Sequence, residues 1–230
     1  MKILAIDSSA VSCSVALSND SEVVASEFVN NGLTHSQTLL PMVEHVCAQA
    51  ELKMDDIDLF AVTNGPGSFT GVRIGVAALK GLAFPADKPC IGISTLEVIA
   101  ANIEQEDCIA VACMDARRAQ VYTATFESVT LHRLTPDEAV AAESLAERIQ
   151  SYEKPVWLAG DGAALAYDIL KDKCNNIFLT QEDKRYQNAA KLCALAYKQR
   201  DKAMPGAALV PTYLRMSQAQ RELKKRGIKK

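Results

Sequence analysis

The most unusual segment of the sequence is a glycine-rich turn at residues 64–75, which reads NGPGSFTGVRIG. It follows an apolar run that predicts a strand and opens a stretch that predicts a helix from about residue 68. A helix N-terminus offers free backbone amides and the positive end of the helix dipole, which suits an anion. The turn is neither a Walker A loop, because no lysine directly follows its glycines, nor GxGxxG, because Thr70 replaces the last glycine. Two interpretations stay open: a phosphate loop at Gly65, Gly67 and Ser68, or a tight turn capped by Ser68.

A second candidate for phosphate chemistry lies at the end of the first predicted strand, where Asp7 precedes Ser8, Ser9 and further serines. A carboxylate followed by hydroxyls could hold a magnesium-bound phosphate. The turn contains no glycine, however, so a phosphate could not approach its backbone closely, and an Asx turn is the competing interpretation. Gly160-Asp161-Gly162, after another apolar run, is a weaker candidate of the same kind.

The sequence contains no motif typical of a metal site or of a catalytic nucleophile. The three histidines, at positions 35, 45 and 132, have no HExxH or HxxxH spacing, and GxSxG is absent. The seven cysteines include no CxxC pair. We therefore expect no metal site, and cysteines that are small buried hydrophobes in a reducing cytoplasm.

The predicted helix at about 68–84 has glycines four residues apart, at Gly67, Gly71 and Gly75, followed by Ala78. Each glycine inside a helix costs about 1 kcal/mol relative to alanine. Several on one face indicate that another helix backbone approaches closely, either from this chain or from a partner. The preceding helix, predicted at about 35–51, is the natural companion, and its apolar row is Leu39, Leu40, Val43 and Val46.

Those two helices lie in a longer alternation of elements. The first half predicts an antiparallel meander of three strands, then helix, strand, helix, strand, helix, in the order βββαβαβα. The second half predicts two strands (108–114 and 120–126), a helix at 137–149, a strand at 155–159, and helices at 163–170 and 188–200. Such an order predicts two mixed sheets. An acidic break near residues 104–107 divides the chain into lobes at 1–105 and 106–214, with a tail at 215–230.

The composition, 49% hydrophobic and 23% charged over 230 residues, is typical of a soluble globular protein. No stretch has the length of a transmembrane helix, and the first residues are too short an apolar run for a signal peptide. The net charge of −3 is uneven. Residues 215–230 have seven basic side chains and one acid, whereas residues 1–214 have 18 basic and 27 acidic ones.

Four segments together resemble the TsaB (YeaZ) family: KILAIDSS at 2–9, THSQTLLP at 34–41, the turn at 64–75, and PTYLR at 211–215. The resemblance covers nearly the whole chain, and its specific part is Gly65–Gly75. It implies an α/β protein of the actin-like, sugar kinase and Hsp70-type ATPase fold, with two βββαβαβα-type lobes and mixed sheets. It also implies a cytoplasmic, non-catalytic role in the synthesis of threonylcarbamoyladenosine in tRNA.

The resemblance further implies partners. The chain would pair with the catalytic paralogue TsaD, recruit the small ATPase TsaE, and support transfer of threonylcarbamoyl to adenosine 37 of ANN-decoding tRNAs. Alone it would form a homodimer. His35 lacks the paired histidines that follow in TsaD, so we expect no metal and no cofactor of its own, with ATP or ADP considered only at the complex interface. The alternatives are a standalone actin-fold ATPase or kinase using Asp7 and the Gly65–Gly67 loop, and, last, a peptidase.

The residue patterns and the resemblance together give three groups of candidate residues. The partner interface would comprise Leu39, Leu40, Val43, Val46, Gly67, Gly71, Gly75 and Ala78, so that a bulky or charged residue at Gly75 or Leu39 should abolish pairing. A vestigial nucleotide or anion loop would comprise Asp7, Ser8, Ser9, Gly65, Gly67 and Ser68. The basic tail would contact tRNA through Arg221, Lys224, Lys225 and Arg226, against the competing interpretation of a solvated terminus.

Overall fold

The structure, a computed structural model, describes residues 1–216. Its first half contains, in chain order, β1 (Lys2–Asp7), β2 (Cys13–Asn19), β3 (Glu22–Val29), α1 (His35–Gln49), β4 (Leu59–Thr63), α2 (Phe69–Ala83), β5 (Pro89–Ile93) and α3 (Thr95–Ala100). The second half contains β6 (Ile109–Asp115), β7 (Gln120–Glu127), β8 (Glu138–Ala141), α4 (Leu145–Gln150), β9 (Val156–Ala159), α5 (Ala163–Leu170), β10 (Ile177–Leu179), α6 (Ala189–Lys198) and β11 (Met204–Pro205).

These strands form two sheets of the same design. The first has the order β11-β5-β4-β1-β2-β3, and the second has the order β10-β9-β6-β7-β8. In each sheet the first strand of the half pairs antiparallel with the second and parallel with the fourth. The predicted meander, the mixed pairing and the duplicated α/β fold are therefore confirmed.

The predicted helix at 137–149 is wrong in its first part. Glu138–Ala141 forms β8, which pairs antiparallel with β7 from Gln120↔Ala141 to Thr123↔Glu138. The α-helix begins only at Leu145. Alanines and a glutamate favour a helix intrinsically, but the open backbone edge of β7 supplies hydrogen-bond partners that outweigh this weak preference. With β8 in place, both halves have the order βββαβαβα.

The end of the described chain returns to the first sheet. Even-numbered residues of β1 pack with α1 and α2, whereas odd-numbered ones pack with α6, so helices cover both faces of this sheet. Ala189 at the start of α6 donates its amide to Ser14 Oγ at 3.0 Å, and β11 pairs with β5. The lobe division at residue 105 stays a prediction. Both α6 and β11, which fall in its second range, contact the first sheet.

Gly71 and Gly75 of α2 face the turn between β1 and β2. A Cβ added at Gly71 would lie 2.1 Å from the backbone oxygen of Ser8, and one at Gly75 would lie 2.5 Å from Ser8 Oγ. Ser8 Oγ in turn donates to Gly71 O at 2.9 Å. The close neighbour expected from the glycine spacing thus belongs to this chain, and it is a turn rather than a helix.

This contact predicts opposite effects for two alanine substitutions in one helix. Gly71→Ala should lower the free energy of unfolding by about 2 kcal/mol or more, because its methyl group meets fixed backbone. Gly81→Ala is the matched control, since a Cβ there has nothing within 4 Å. It should raise stability by up to about 1 kcal/mol through helix propensity. Denaturant unfolding of both variants measures this, and equal midpoints would contradict the packing described here.

Candidate functional site

A cleft of about 380 Å³ lies between the two lobes. Two pairs of segments and the end of the described chain form it: the β1–β2 turn with the start of α2, and the β6–β7 turn with Asp161. Its polar lining comprises Ser9, Ser68, Asp115, Arg117, Tyr122, Asp161, Thr212, Tyr213 and Arg215. Of the six residues predicted for the anion loop, Ser9, Gly67 and Ser68 line this cleft.

The first wall of the cleft is held by backbone contacts. Ser68 donates its amide to Ser9 O at 2.7 Å, and Ser68 Oγ accepts from the amide of Gly71 at 3.2 Å. A Cβ at Gly67 would lie 2.2 Å from the same Ser9 oxygen. Ser68 is thus the N-cap of α2, as one of the two interpretations of this turn predicts. The close approach that glycine permits is used for packing between two loops.

Asp7, for which a magnesium-bound phosphate and an Asx turn were the two interpretations, is fully buried. Its Oδ1 accepts from Ser9 Oγ at 2.6 Å and from Thr63 Oγ1, while Oδ2 has no hydrogen-bond partner among residues 1–216. Burial raises the pKa of the Asp7 carboxyl, and the hydrogen bonds from Ser9 and Thr63 act in the opposite direction. Because Asp7, Ser8 and Gly65 are buried and do not line the cleft, the structure corrects their assignment as ligand contacts.

The second wall repeats this packing in the other lobe. A Cβ at Gly162 would lie 2.7 Å from the Asp115 amide, which donates to Asp161 Oδ1 at 3.0 Å. Burial raises the pKa of the Asp161 carboxyl. The weak Gly160–Gly162 candidate is therefore a turn after β9 that packs against the end of β6. It places two carboxyl groups, Asp115 and Asp161, in the cleft, which disfavours a deeply bound phosphate.

Residues 212–216 lie along the mouth of the cleft. Tyr213 stacks on Phe69 with ring centroids 4.6 Å apart, and its hydroxyl accepts from Arg73 Nε at 2.8 Å. Arg215 Nη1 donates to Ala116 O at 2.7 Å, so this segment contacts both lobes. Residue types did not point to Tyr213 or to the β6–β7 turn. The only signal was the PTYLR match at 211–215, which assigned no role.

The predicted partner interface separates into buried and exposed parts. Five of its eight residues are buried within the chain: Leu39, Val43, Val46, Gly71 and Gly75. Leu40 is 48% exposed, while Gly67 and Ala78 are half-buried. The structure corrects the five buried residues as direct contacts, because substitution at Leu39 or Gly75 would disturb the fold itself. Docking at the exposed remainder of α1 and α2 stays a prediction.

The histidines lie apart and are engaged locally. His35 Nε2 lies 2.7 Å from Ala10 O, and His45 Nδ1 lies 2.8 Å from Glu27 Oε2. Within residues 1–216, no group of three or more His, Cys, Asp or Glu side chains is arranged to hold a metal ion. In the same range, no helix is both long enough and apolar enough to cross a membrane. The tail residues predicted to contact tRNA (Arg221, Lys224, Lys225 and Arg226) lie outside the described residues.

Known proteins resemble this chain along nearly its full length. The family model described as TsaD: tRNA N6-adenosine threonylcarbamoyltransferase matches residues 30–223. The tRNA threonylcarbamoyladenosine biosynthesis protein TsaB of Bacillus subtilis is 31% identical, over 96% of this chain and 96% of its own. The protein of the same name from Escherichia coli is 39% identical, over 65% of this chain and 67% of its own.

Solved structures agree with the sequence matches. YeaZ from Pseudomonas aeruginosa superimposes with a TM-score of 0.79 at 26% identity, covering 93% of this chain and 99% of that one. Component A of the (R)-2-hydroxyglutaryl-CoA dehydratase from Acidaminococcus fermentans, at 14% identity and a TM-score of 0.51, covers 88% of this chain and 100% of its own. The second likeness concerns the fold alone, which is the actin-like fold expected from the sequence. Together these matches show that the chain belongs to the TsaB (YeaZ) family of tRNA threonylcarbamoyladenosine biosynthesis proteins.

Proposed function

We propose that this chain is the non-catalytic subunit that pairs with the transferase paralogue TsaD and recruits the small ATPase TsaE. The assembly transfers threonylcarbamoyl to adenosine 37 of ANN-decoding tRNAs in the cytoplasm, and ATP or ADP binds, if at all, at the complex interface. The observation that supports this most is the burial of Asp7. The Asp7 carboxyl group, the candidate at the end of β1 for holding a magnesium-bound phosphate, is fully buried and accepts hydrogen bonds from Ser9 and Thr63.

Helices α1 and α2 supply the docking surface in this proposal. We define the α1–α2 surface as Leu40, Ile74, Ala77 and Ala78. Leu40 and Ala77 are exposed, whereas Ile74 and Ala78 are half-buried and lie four residues apart on one side of α2. Neighbouring apolar side chains of this kind gain free energy when a partner removes them from water. The same surface serves a second copy of the chain when TsaD is absent.

Leu40→Arg should weaken the pairing with TsaD by at least about tenfold, which corresponds to about 1.4 kcal/mol. The reason is that the new guanidinium would be desolvated in an apolar contact without a partner charge. Leu165→Arg is the matched control, because Leu165 is 38% exposed on α5 of the other lobe. Co-purification with TsaD from the same organism, and calorimetric titration, measure the difference. Equal recovery of both variants would contradict this surface.

A standalone ATPase or kinase is the second candidate, and one observation favours it: Ser9, Gly67 and Ser68 line the cleft at the start of α2. Against it, Asp115 and Asp161 place carboxyl oxygens in the same space. We therefore expect calorimetry with Mg-ATP to show no binding by the isolated chain at a dissociation constant near or below about 1 μM. A micromolar constant that Ser68→Ala weakened would support the enzyme instead.

A cysteine peptidase would need an accessible thiolate. All seven cysteines are free and buried, and burial raises the pKa of Cys113 and of Cys193 to about 12. A raised thiol pKa lowers the thiolate fraction at every pH below it. We therefore expect a chromogenic disulfide reagent near pH 8 to label the native chain far more slowly than the chain in guanidinium, where all seven should react. Rapid labelling of one native cysteine would revive this alternative.

A further inference from the structure

The turn between β6 and β7 contains two consecutive arginines, Arg117 and Arg118, of which Arg117 lines the cleft. Arg117 is 81% exposed at its side chain, and Arg118 is exposed as well. Arg117 pairs with Asp115 at 3.4 Å. Within residues 1–216, Arg118 has no ion pair. An exposed pair such as Arg117–Asp115 contributes little stability, so its guanidinium can exchange the carboxylate for another anion.

The backbone of this turn is unfavourable for the residues it contains. Arg117, Arg118 and Ala119 have φ values of +67°, +60° and +54°. The left-handed region costs an ordinary residue about 1–2 kcal/mol, whereas glycine adopts it readily. Glycine or asparagine would therefore suit this hairpin better than arginine if folding were its only requirement. Left-handed backbone at non-glycine residues is also frequent where a side chain has a function.

The structure brings a second basic segment to the same turn. Arg215 Nη1 donates to Ala116 O at 2.7 Å, and Met216 lines the cleft together with Arg117. Arg215 is the first residue of the basic tail noted in the sequence. Positive charges that are about a hundred residues apart along the chain thus meet at one rim of the cleft. We call Arg117, Arg118 and Arg215 the basic rim.

We propose that the basic rim binds the phosphate backbone of an RNA, which, given the proposed function, is the tRNA to be modified. The acids indicate a chain of phosphates at the rim rather than a small anion inside the cleft. Asp115 and Asp161 both line the cleft, so their carboxyl groups disfavour a phosphate that enters it, whereas the Arg117 side chain is 81% exposed. Arginines bind phosphate oxygens in a bidentate manner, independently of base sequence.

The test is binding of a fluorescent, unmodified ANN-decoding tRNA to the full chain, measured by anisotropy between about 50 and about 200 mM KCl. The double variant Arg117→Gln with Arg118→Gln should bind the tRNA about tenfold more weakly than the wild-type chain. The slope of the logarithm of the association constant against the logarithm of the KCl concentration should become shallower by about 1.5 to 2. The control is Lys171→Gln with Lys173→Gln, which removes the same charge from exposed positions of the second lobe. It should change neither affinity nor slope by more than a small fraction of that.

A second variant separates RNA binding from folding. Arg118→Gly should unfold at the same temperature or higher, because it relieves a left-handed φ, and should still lose RNA affinity. A lower unfolding temperature with unchanged affinity would mean that the arginine has a structural role, and would overturn the proposal.

Two further results would also overturn it: no tRNA binding by the wild-type chain at about 100 μM and low salt, or equal affinities for the rim and control variants. Co-purification of the rim variant with TsaD is measured in parallel. If TsaD is retained while RNA binding does not depend on the rim, this proposal fails and the proposed function stands. If RNA binding depends on the rim but TsaD is not recovered with any variant, the basic-rim proposal stands and the proposed pairing with TsaD fails.

Discussion

The packing of α2 against the β1–β2 turn is the contact on which the rest of the molecule depends. Ser68 donates to Ser9 O at 2.7 Å, and Gly71 leaves room for Ser8 O where a methyl group would overlap it at 2.1 Å. This contact places the start of α2 at the cleft. It also buries Asp7, Ser8 and Ser9, the polar residues at the end of β1. The second lobe repeats it, with Gly162 against Asp115 at the end of β6. The duplicated fold thus has the same type of glycine-to-turn contact on each side of the cleft.

A second backbone contact fills the space beside Gly65 in the same loop. Gly65, with φ of +118°, leaves space for Thr212 O at 2.3 Å from its absent Cβ, and Thr212 donates its amide to Asn64 O at 2.7 Å. The space beside the glycines is therefore filled by protein backbone, whereas in a nucleotide-binding loop phosphate oxygens would lie there. Asp7 lies behind this layer without solvent contact. The two surfaces that we propose for binding other molecules, the α1–α2 surface and the basic rim, are consequently on the outside of the chain.

Much of this architecture could be predicted from the sequence, because period-2 and helical apolar patterns identify buried strands and amphipathic helices. The failure at Glu138–Ala141 is instructive, since alanine-rich residues became a strand only because β7 offered an unpaired edge. The interface residues show the converse limit. Leu39, Val43 and Val46 were correctly identified as one apolar face of α1, but that face packs on the chain's own sheet, which leaves Leu40 beside it in solvent.

By itself, the sequence determined the duplicated α/β fold, the family and the presence of an unusual glycine-rich turn at residues 64–75. These features depend on apolar periodicity and glycine spacing, which are visible in residues close together along the chain. Only the tertiary structure decided what the glycines contact, that Asp7 is buried, and that Arg215, the first residue of the basic tail, contacts the β6–β7 turn at Ala116. The physical reason is that these are contacts between segments far apart along the chain. Their existence depends on how two sheets and their connecting turns pack in space, which no local pattern of residue types encodes.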